Sequence, residues 1–297
     1  MSDLLHPHPP ARIPGQGALR SATPPSGCAL SLIAPVFDEV DNLAPLVERV
    51  QKALDGTAAR RLAGDWELIL VDDGSRDGSD RRIRSLHRAE PRVRGVYLGR
   101  NCGQTAALAA GLHVARGRTI ATLDADLQND PADLPRMLAR LEAEGVDAVL
   151  GWRRKRNDSV VRRLSSRIAY RVRNALLRDA VRDTGCSLKV FRSEALRALP
   201  LYEGMHRFLG TLLLQRGYTL VQEPVAHHPR TQGASKYGIS NRAWRAFKDM
   251  LAVRWMGERQ LVLPISAHDP APVPSPAADE PRPHGARDEE PARTSRR

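Results

Sequence analysis

Apolar runs of strand length alternate with helix-length amphipathic segments through the first half of the chain, and this alternation restricts the possible folds more than any other feature. Five runs predict strands: ALSLIAPVF, WELILVDDGS, VRGVYLG, TIATLDAD and VDAVLGW. Four intervening segments predict helices: DNLAPLVERVQKAL, SDRRIRSLHR, QTAALAAGLHVA and PADLPRMLARLEAEG. Such alternation predicts an α/β fold, in which helices cover both faces of a mostly parallel sheet.

The two ends of the chain lack this pattern. Residues 1–27 are rich in Pro, Gly, Ser and His, and residues from about Pro264 onward mix Pro, Ala and charge. Such segments bury too little apolar surface to offset their chain entropy, so we expect both ends to be disordered. The predicted organisation is a disordered segment at 1–27, an α/β domain at 28–240, an amphipathic segment at 241–263 and a disordered tail at 264–297.

The cysteine content and the absence of targeting segments indicate a cytoplasmic protein. The three cysteines, Cys28, Cys102 and Cys186, are too few and too scattered for a disulfide framework or a zinc site. The chain starts without the basic and then apolar order of a signal peptide, and no run approaches the roughly 18 apolar residues of a membrane span. We expect Cys102 and Cys186 to be packing residues, because neither has a neighbouring base in the sequence.

Acidic residues follow three of the predicted strands, in APVFDEVDN, VDDGSRDGS and LDADLQ. Because ligands bind beyond the carboxyl ends of parallel strands, these three segments should share one edge of the sheet. Two of the segments contribute four carboxylates: Asp72, Asp73, Asp124 and Asp126. Their mutual repulsion predicts a cation or a hydrogen-bond donor between them, and Mg²⁺ or Mn²⁺ held by such oxygens can bridge to a diphosphate. No glycine-rich phosphate loop of the GxGxxG or GxxxxGK[ST] type is present.

The positive charge of the chain is concentrated in one segment. The formal net charge is +12, and residues 151–182 contain eleven Lys or Arg against two Asp, a local net charge of +9. A bulk charge of this kind suits nucleic acid, an anionic membrane surface or an anionic substrate, and the count alone does not choose among them.

Six motifs, in this order and spacing, resemble the inverting family 2 glycosyltransferases with a GT-A fold: APVFDEVDN, LILVDDGSRDGS, GRNCGQTAALAAG, TLDADLQNDP, DTGCSLKVFR and RTQGASKYG. The chain is most similar to the polyprenyl-phosphate branch, which includes dolichyl-phosphate mannose synthase and undecaprenyl-phosphate sugar transferases. The resemblance covers about residues 29–240. It implies transfer of a sugar from a nucleotide-diphosphate sugar to a polyprenyl phosphate.

The resemblance implies a donor site at the acidic edge of the sheet. The residues expected to bind the nucleotide sugar are Pro35, Phe37, Glu39, Asp72, Asp73, Gln104, Asp124 and Ala125. The expected ligands of the Mg²⁺ or Mn²⁺ are Asp124, Asp126 and Gln128. The expected catalytic residues are Asp124, Asp126, Arg230 and Lys236, of which the last two would stabilise charge on the departing diphosphate. Asp130 is better placed than the Asp-x-Asp pair to cap the helix that begins near Pro131.

The acceptor and membrane contacts are expected in the basic segment. Arg153, Arg162 and Ser166 match positions that contact the acceptor phosphate in the resembling enzymes. SVVRRLSSRIAYRVRNALL is apolar on one helical face and rich in arginine elsewhere, which suits an anionic bilayer or a helix packed on the core. NRAWRAFKDMLAVRWMGERQLVLPI leaves the same two alternatives. Many relatives continue into transmembrane helices here and this chain does not, so we expect peripheral attachment to the cytoplasmic face, with a small membrane protein as a candidate anchor.

Two other functions fit parts of the sequence. A glycosyltransferase with a saccharide acceptor, acting in cell-surface polysaccharide synthesis, would need an Asp or Glu base, which no motif nominates. A basic nucleic-acid-binding module fits the net charge. However, aromatic residues make up 4% of the chain, and the acids cluster where a nucleic acid would dock. We therefore expect no nucleic-acid partner.

Overall fold

Strands and helices alternate as predicted in the computed structural model, which describes residues 28–153, 173–177, 179–229 and 239–260. The strands are β1 (Cys28–Val36), β2 (Asp65–Asp72), β3 (Val93–Tyr97), β4 (Thr119–Thr122), β5 (Ala148–Arg153), β6 (Lys189–Arg192) and β7 (Leu220–Val225). The helices are α1 (Val40–Leu54), α2 (Thr57–Ala63), α3 (Ser79–Ala89), α4 (Gln104–Val114), α5 (Leu134–Ala143), α6 (173–177), α7 (Ser193–Arg197), α8 (Leu209–Gln215) and α9 (Ile239–Glu258). Short 3-10 turns lie at Pro131–Asp133 and Met205–Arg207.

These strands form one sheet in the order β3-β2-β1-β4-β6-β5-β7. β1, β2, β3 and β4 pair in parallel, and β5 pairs in parallel with β7. β6 lies between β4 and β5 and is antiparallel to both. The prediction of a mostly parallel sheet is therefore confirmed. The carboxyl ends of β1, β2, β4 and β5 and the amino end of β6 consequently share one edge.

Helices cover both faces of the sheet, as the pattern predicts. On one face, α1, α3 and α5 bury residues such as Leu46, Ile83 and Leu138 against the strands. On the other face, α4, α7, α8 and α9 bury a second cluster that includes Leu212 and Val253. Each face holds its own core because both sides of the sheet carry apolar side chains.

Several elements differ from the sequence-based expectation. The predicted strand TIATLDAD ends at Thr122, so the acidic residues lie in the loop after β4 and not in the strand itself. The strand and helix predictions did not include α2, β6, α7 and α8. β6 is only four residues long, and α8 (LGTLLLQ) is mostly apolar and buried, so neither carries a clear period in the sequence.

Helix α9 packs on the core with one side only. Val253 is fully buried, and Met250 and Met256 pack against the same cluster. Leu251 and Trp255 are 43% and 60% exposed. Among the described helices, none has the length and apolar character needed to cross a membrane. The predicted disordered ends at 1–27 and 264–297, and most of the predicted basic helix, lie outside the described residues.

Candidate active site

The loops that follow β1 and β2 are joined by hydrogen bonds at the shared edge. The Asp38 N–H donates to Ser75 Oγ at 2.9 Å, and the Arg76 N–H donates to Asp38 Oδ1 at 2.8 Å. The Val40 N–H donates to Asp77 Oδ2 at 2.9 Å. Asp38 adopts φ +52°, a conformation that costs a non-glycine residue free energy and is retained only where surrounding contacts enforce it. The two loops therefore act as one ordered wall beside Pro35, Phe37 and Glu39, which are all half-buried.

Asp72 and Asp73 are buried at the end of β2, each 4% exposed. Asp72 Oδ1 accepts a hydrogen bond from the Ser75 N–H at 3.1 Å. Asp73 accepts from the Cys102 N–H at 2.7 Å and from the Gly103 N–H at 2.9 Å. Both oxygens of Asp73 thus hold the loop that leads into α4. The expected contact of Asp72 and Asp73 with the nucleotide stays a prediction.

Gly74 lets this loop approach the end of β2. Its φ is +74°, and a Cβ at this position would lie 2.6 Å from the carbonyl carbon of Arg100. A side chain would therefore displace the backbone that Asp73 holds. Only glycine fits both the dihedral angle and the close contact.

The Asp-x-Asp segment lies directly after β4 at the same edge. The Asp124 N–H donates to Ser187 Oγ at 3.1 Å, and Asp124 Oδ1 accepts from Gln104 Nε2 at 2.8 Å. Asp126 Oδ1 accepts from the Gln128 N–H at 3.2 Å. The intervening Ala125 is 2% exposed. The structure thus brings the predicted Gln104 into direct contact with the predicted Asp124.

The backbone just after this pair is strained. Leu127 adopts φ +61°, which is unfavourable for a branched side chain, although that side chain is 6% exposed and packed in the core. Further contacts hold the segment: the Asp130 side chain accepts from the Ala132 N–H at 3.0 Å, as predicted for the cap. The Gln128 carbonyl accepts from the His228 N–H at 2.9 Å.

Burial, and next the charge of Asp126, raise the pKa of Asp124 to about 6. The hydrogen bond to Ser187 and the charges of Lys189 and Arg153 oppose this shift. A carboxylate pair of this kind gains from a cation between its oxygens, because a cation favours the charged form of both acids.

Two carboxylates and one amide make an incomplete but suitable set for a hard divalent cation. Mg²⁺ is commonly held by one or two carboxylates together with substrate phosphates and water. The carboxylate oxygens of Asp124 and Asp126 fit that chemistry, as does the side-chain amide oxygen of Gln128, two residues further on. Within the described ranges, no group of three or more His, Cys, Asp or Glu side chains is placed to hold a metal by itself.

A cavity of about 210 Å³ opens beside Asp124. Its walls come from the ends of β1 and β4, the start of α4, the loop before β6 and the turn before α8. The lining residues that carry polar side chains are Gln104, Thr122, Asp124, Thr184, Ser187, Lys189, His206 and Arg207. Leu108, Leu123 and Leu209 contribute apolar wall.

The loop before β6 supports the Asp-x-Asp segment, and sequence reasoning nominated no site residue from it. Ser187 Oγ donates to Asn129 Oδ1 at 2.8 Å while it accepts from the Asp124 N–H. Thr122 Oγ1 donates to the Ser187 carbonyl at 2.6 Å. Lys189 is 5% exposed, and burial lowers the pKa of its ammonium group. The sequence signal that could have identified Ser187 and Lys189 is the motif DTGCSLKVFR, which contributes to the family resemblance but does not by itself indicate which of its residues belong to the site.

Arg153, predicted to contact the acceptor phosphate, forms an ion pair at the end of β5. Its Nε and Nη2 donate to the two carboxylate oxygens of Asp183 at 2.7 Å and 2.8 Å. Burial alone would lower the pKa of Arg153, but Asp183 raises it above the ordinary value. Arg153 therefore carries a charge that is already balanced. The other predicted acceptor and leaving-group residues, Arg162, Ser166, Arg230 and Lys236, lie outside the described residues.

One of the two cysteine predictions is wrong. Cys186 is 1% exposed and packs in the core as expected. Cys102 is exposed. Its backbone N–H is held by Asp73, and its thiol does not pack in the core.

Comparison with known proteins tests the resemblance. Residues 31–199 match the family model described as glycosyl transferase family 2. The chain is 41% identical over 234 residues to the dodecaprenyl-phosphate galacturonate synthase of Rhizobium johnstonii, covering 77% of this chain and 68% of that protein. It is 36% identical over 211 residues to the undecaprenyl-phosphate 4-deoxy-4-formamido-L-arabinose transferase of Aeromonas hydrophila, covering 71% of this chain and 63% of that protein. The match thus spans less than two thirds of the Aeromonas protein.

Solved structures show the same fold at lower identity. Glucosyl-3-phosphoglycerate synthase from Mycobacterium tuberculosis, in complex with Mn²⁺ and UDP-glucose, superposes with a TM-score of 0.54 at 20% identity, over 77% of this chain and 79% of that one. A mannosyltransferase from Pyrobaculum calidifontis, with GDP-mannose and Mn²⁺, gives 0.53 at 20% identity, over 81% and 67%. These likenesses confirm the predicted GT-A fold, and the family match, which contains five of the six motifs, confirms the resemblance to family 2 glycosyltransferases. The chain belongs to glycosyl transferase family 2.

Proposed function

We propose that the protein transfers a sugar from a nucleotide-diphosphate sugar to a polyprenyl phosphate, with Mg²⁺ or Mn²⁺ bound at Asp124 and Asp126. The observation that carries the proposal is the Asp-x-Asp pair beside a polar cavity, in a chain 41% identical to a dodecaprenyl-phosphate galacturonate synthase. The second relative is also named for an undecaprenyl-phosphate acceptor. Two relatives with different sugars and one class of acceptor favour the lipid phosphate over a saccharide acceptor.

The donor would lie along the edge of the sheet from β2 to β4. Its nucleoside would contact the wall formed by the loops after β1 and β2, near Asp72. Asp124 and Asp126 would hold the cation near the diphosphate, and that cation would supply Lewis-acid stabilisation of the charge that develops on the leaving group. Gln104 holds one oxygen of Asp124 and so keeps that carboxylate oriented. Arg230 and Lys236 are assigned to the leaving diphosphate by the motif RTQGASKYG.

The reaction needs little proton transfer. A phosphate oxygen of the lipid attacks the anomeric carbon, the bond from that carbon to the diphosphate oxygen breaks, and its electron pair leaves with the nucleoside diphosphate. The attacking oxygen is already anionic near neutral pH, so no strong general base is required. What the acceptor requires is a cationic group that holds its phosphate in line. Arg162 and Arg153, the latter already paired with Asp183, are assigned that role, and the Ser166 hydroxyl is assigned a hydrogen bond to the same phosphate.

We further propose peripheral attachment to the cytoplasmic face of a membrane. The lipid acceptor requires access to a bilayer. The local excess of positive charge in residues 151–182 suits anionic headgroups. The exposed Leu251 and Trp255 on α9 offer apolar contacts to the same surface. Attachment through a small membrane protein is the alternative, and a test of membrane binding must distinguish it from direct binding to lipid.

The experiment incubates the purified protein with Mn²⁺ or Mg²⁺ and a panel of labelled UDP- and GDP-sugars, with and without undecaprenyl phosphate. We expect label in an organic-extractable product only when lipid phosphate, metal and one class of donor are all present. Asp126→Asn should abolish the product. Asp65→Asn is the matched control, because Asp65 is exposed at the start of β2 on the opposite edge of the sheet.

Three results would contradict the proposal. Full activity in EDTA would remove the metal from the mechanism. Label that enters a water-soluble saccharide without lipid phosphate would identify the wrong acceptor. Equal loss of product in the Asp126→Asn and Asp65→Asn proteins would place the effect in folding and not at the site.

A further inference from the structure

Strand β3 is the last described strand on its side of the sheet, and its outer edge offers backbone hydrogen-bonding groups. It pairs with β2 alone. Arg92 and Leu98 both hydrogen-bond to β2 through their backbone. Because backbone groups along a strand alternate between its two edges, the N–H and C=O of Gly95, midway between those residues, point outward. The outward carbonyl of Val93 is already occupied, since it accepts from His87 Nδ1 at 2.6 Å. Gly95 therefore offers both a donor and an acceptor at this edge.

A groove of about 370 Å³ lies between α3 and this edge of β3. It is lined by Arg84, His87, Arg88, Arg94, Gly95 and Tyr97. A Cβ at Gly95 would lie 2.8 Å from Ile83 Cγ2 and would also clash with the Tyr97 hydroxyl. The guanidinium carbon of Arg84 lies 4.1 Å from the centre of the Tyr97 ring. An aromatic ring and a glycine thus lie beside arginine side chains in one groove.

The charge of the groove is positive. Helix α3 carries four arginines and one aspartate, and Arg84, His87 and Arg88 share one of its faces at the spacing i, i+3, i+4. Arg94 is balanced by an ion pair with Glu67 at 2.5 Å. Arg84 and Arg88 are exposed and form no salt bridge with any residue that the structure describes. No described residue that lines the groove is acidic.

This charge decides which kind of strand the edge admits. An open edge is a template for pairing with another chain, and charged side chains beside it select the partner. Pairing with β3 of a second copy would bring the arginines of both copies together, which is unfavourable. Charge complementarity therefore favours an acidic segment over self-association.

We propose that the edge of β3 is a docking site for an acidic, extended segment of a partner protein, which adds to the sheet as an antiparallel strand. One residue of the segment lies opposite Gly95 and exchanges both backbone hydrogen bonds with it. The side chain of that residue lies on the α3 face of the sheet, because a Cβ at Gly95 points towards Ile83 of α3. Asp or Glu there, and at alternate positions on either side, meets Arg84 and Arg88.

The first test measures the contribution of charge. The probe is a fluorescein-labelled peptide of about seven residues, in which Glu alternates with Val, and it is titrated with the full chain. The double variant Arg84→Met, Arg88→Met should raise the Kd by about 5- to 30-fold, because two partly exposed charged pairs are lost. The double variant Arg61→Met, Arg82→Met is the matched control, since it removes the same charge from exposed positions outside the groove.

The second test separates strand addition from charge attraction alone. Methylation of the backbone nitrogens of the Glu residues removes the N–H groups that face β3 and should raise the Kd at least about 10-fold. Methylation at the Val residues, whose N–H groups face away, should leave the Kd nearly unchanged. Amide hydrogen exchange at Gly95 should slow when the unmodified peptide is bound.

Several results would overturn the proposal. They are equal affinity for a peptide in which Lys replaces Glu, an unchanged Kd after methylation at Glu, and no binding at millimolar peptide. Tighter binding of anionic vesicles or of a single-stranded oligonucleotide, with the same dependence on Arg84 and Arg88, would assign the groove to that polyanion instead.

Discussion

Asp124, the proposed metal ligand, carries a cost to the stability of the fold. Burial and the charge of Asp126 raise its pKa from 3.8 to about 6. An acid whose pKa is raised on folding binds its proton more tightly in the native state than in the unfolded state. The free energy of unfolding therefore falls as pH rises from about 3.8 to about 6 and stays lower above that range. A divalent cation bound between the carboxylates would offset this cost.

We expect Asp124→Asn to stabilise the metal-free protein while it removes activity. In EDTA at pH 7.5, the free energy of unfolding should rise by about 1 to 2 kcal/mol, a figure reduced for the partial exposure of the carboxyl group. The gain should vanish near pH 4, where the wild-type acid is protonated. Sugar transfer should fall at least about 100-fold. Thermal melts from pH 4 to 8 and the transfer assay measure both effects, with Asp65→Asn as the control. A destabilised variant at pH 7.5 would contradict the assigned electrostatics.

At the scale of secondary-structure elements, one arginine ties α1, β2 and β3 together. Arg92 donates to Asp55 at 2.7 Å and 3.2 Å and to Glu90 at 2.7 Å and 3.0 Å. Its guanidinium carbon lies 4.0 Å from the centre of the Trp66 ring. Hydrogen bonds from Arg92 lower the pKa of Glu90 to about 2. These groups lie at the ends of elements on the edge opposite the site, so they concern stability alone.

Arg92→Met should destabilise the fold without changing its chemistry. Loss of the charged hydrogen bonds should lower the free energy of unfolding by about 1 to 3 kcal/mol at pH 7. Because the pKa of Glu90 is lowered on folding, its contribution is complete above pH 4.5 and is lost as pH falls towards about 2. The difference between the variant and the wild type should therefore shrink in acid. Urea unfolding at pH 7 and pH 3 measures it, and Arg88→Met, exposed on α3, is the control. A wild-type urea midpoint at pH 7 would refute the proposed role of this network.

At the scale of the whole molecule, we expect the net charge and the exposed face of α9 to govern attachment of the protein to a membrane. The chain carries a formal charge of +12, and α9 exposes Leu251 and Trp255 on the side away from its buried Val253. Charge attraction to anionic lipid is screened within about 8 Å at physiological ionic strength, so salt should weaken it. Apolar insertion should resist salt better.

We expect the protein to sediment with vesicles of anionic lipid and to be released by 1 M NaCl, a concentration at which the screening length is about 3 Å. The double variant Leu251→Ser, Trp255→Ser should bind about 10-fold more weakly, because it removes two exposed apolar side chains. Leu62→Ser is the matched control, since Leu62 is 39% exposed on α2, which packs against α1 and α5. Equal binding to neutral vesicles, or binding that needs a second membrane protein, would contradict direct electrostatic attachment.

Much of the fold was predictable from the sequence because its signals are local. Hydrophobic period distinguishes strand from helix, and the alternation of the two leads to a parallel sheet whose carboxyl ends meet at one edge. That reasoning places the loops of Asp72, Asp73, Asp124 and Asp126 together on the strength of the sequence alone. The order of β6 and β5, and the reversed direction of β6, were not predictable, because pairing between strands distant in sequence leaves no local period.

The sequence by itself determined which chemical groups are available at the carboxyl edge of the sheet, because the Asp-x-Asp pair and each of the six motifs are short unbroken stretches of the chain. Only the tertiary structure decided which side chains share the site. It placed Ser187 under Asp124 and Lys189 in the cavity, and it paired Arg153 with Asp183. The physical reason is that the residue type alone sets the charge and polarity of a side chain. Its burial and its partners arise only when segments distant in sequence pack together and exclude water.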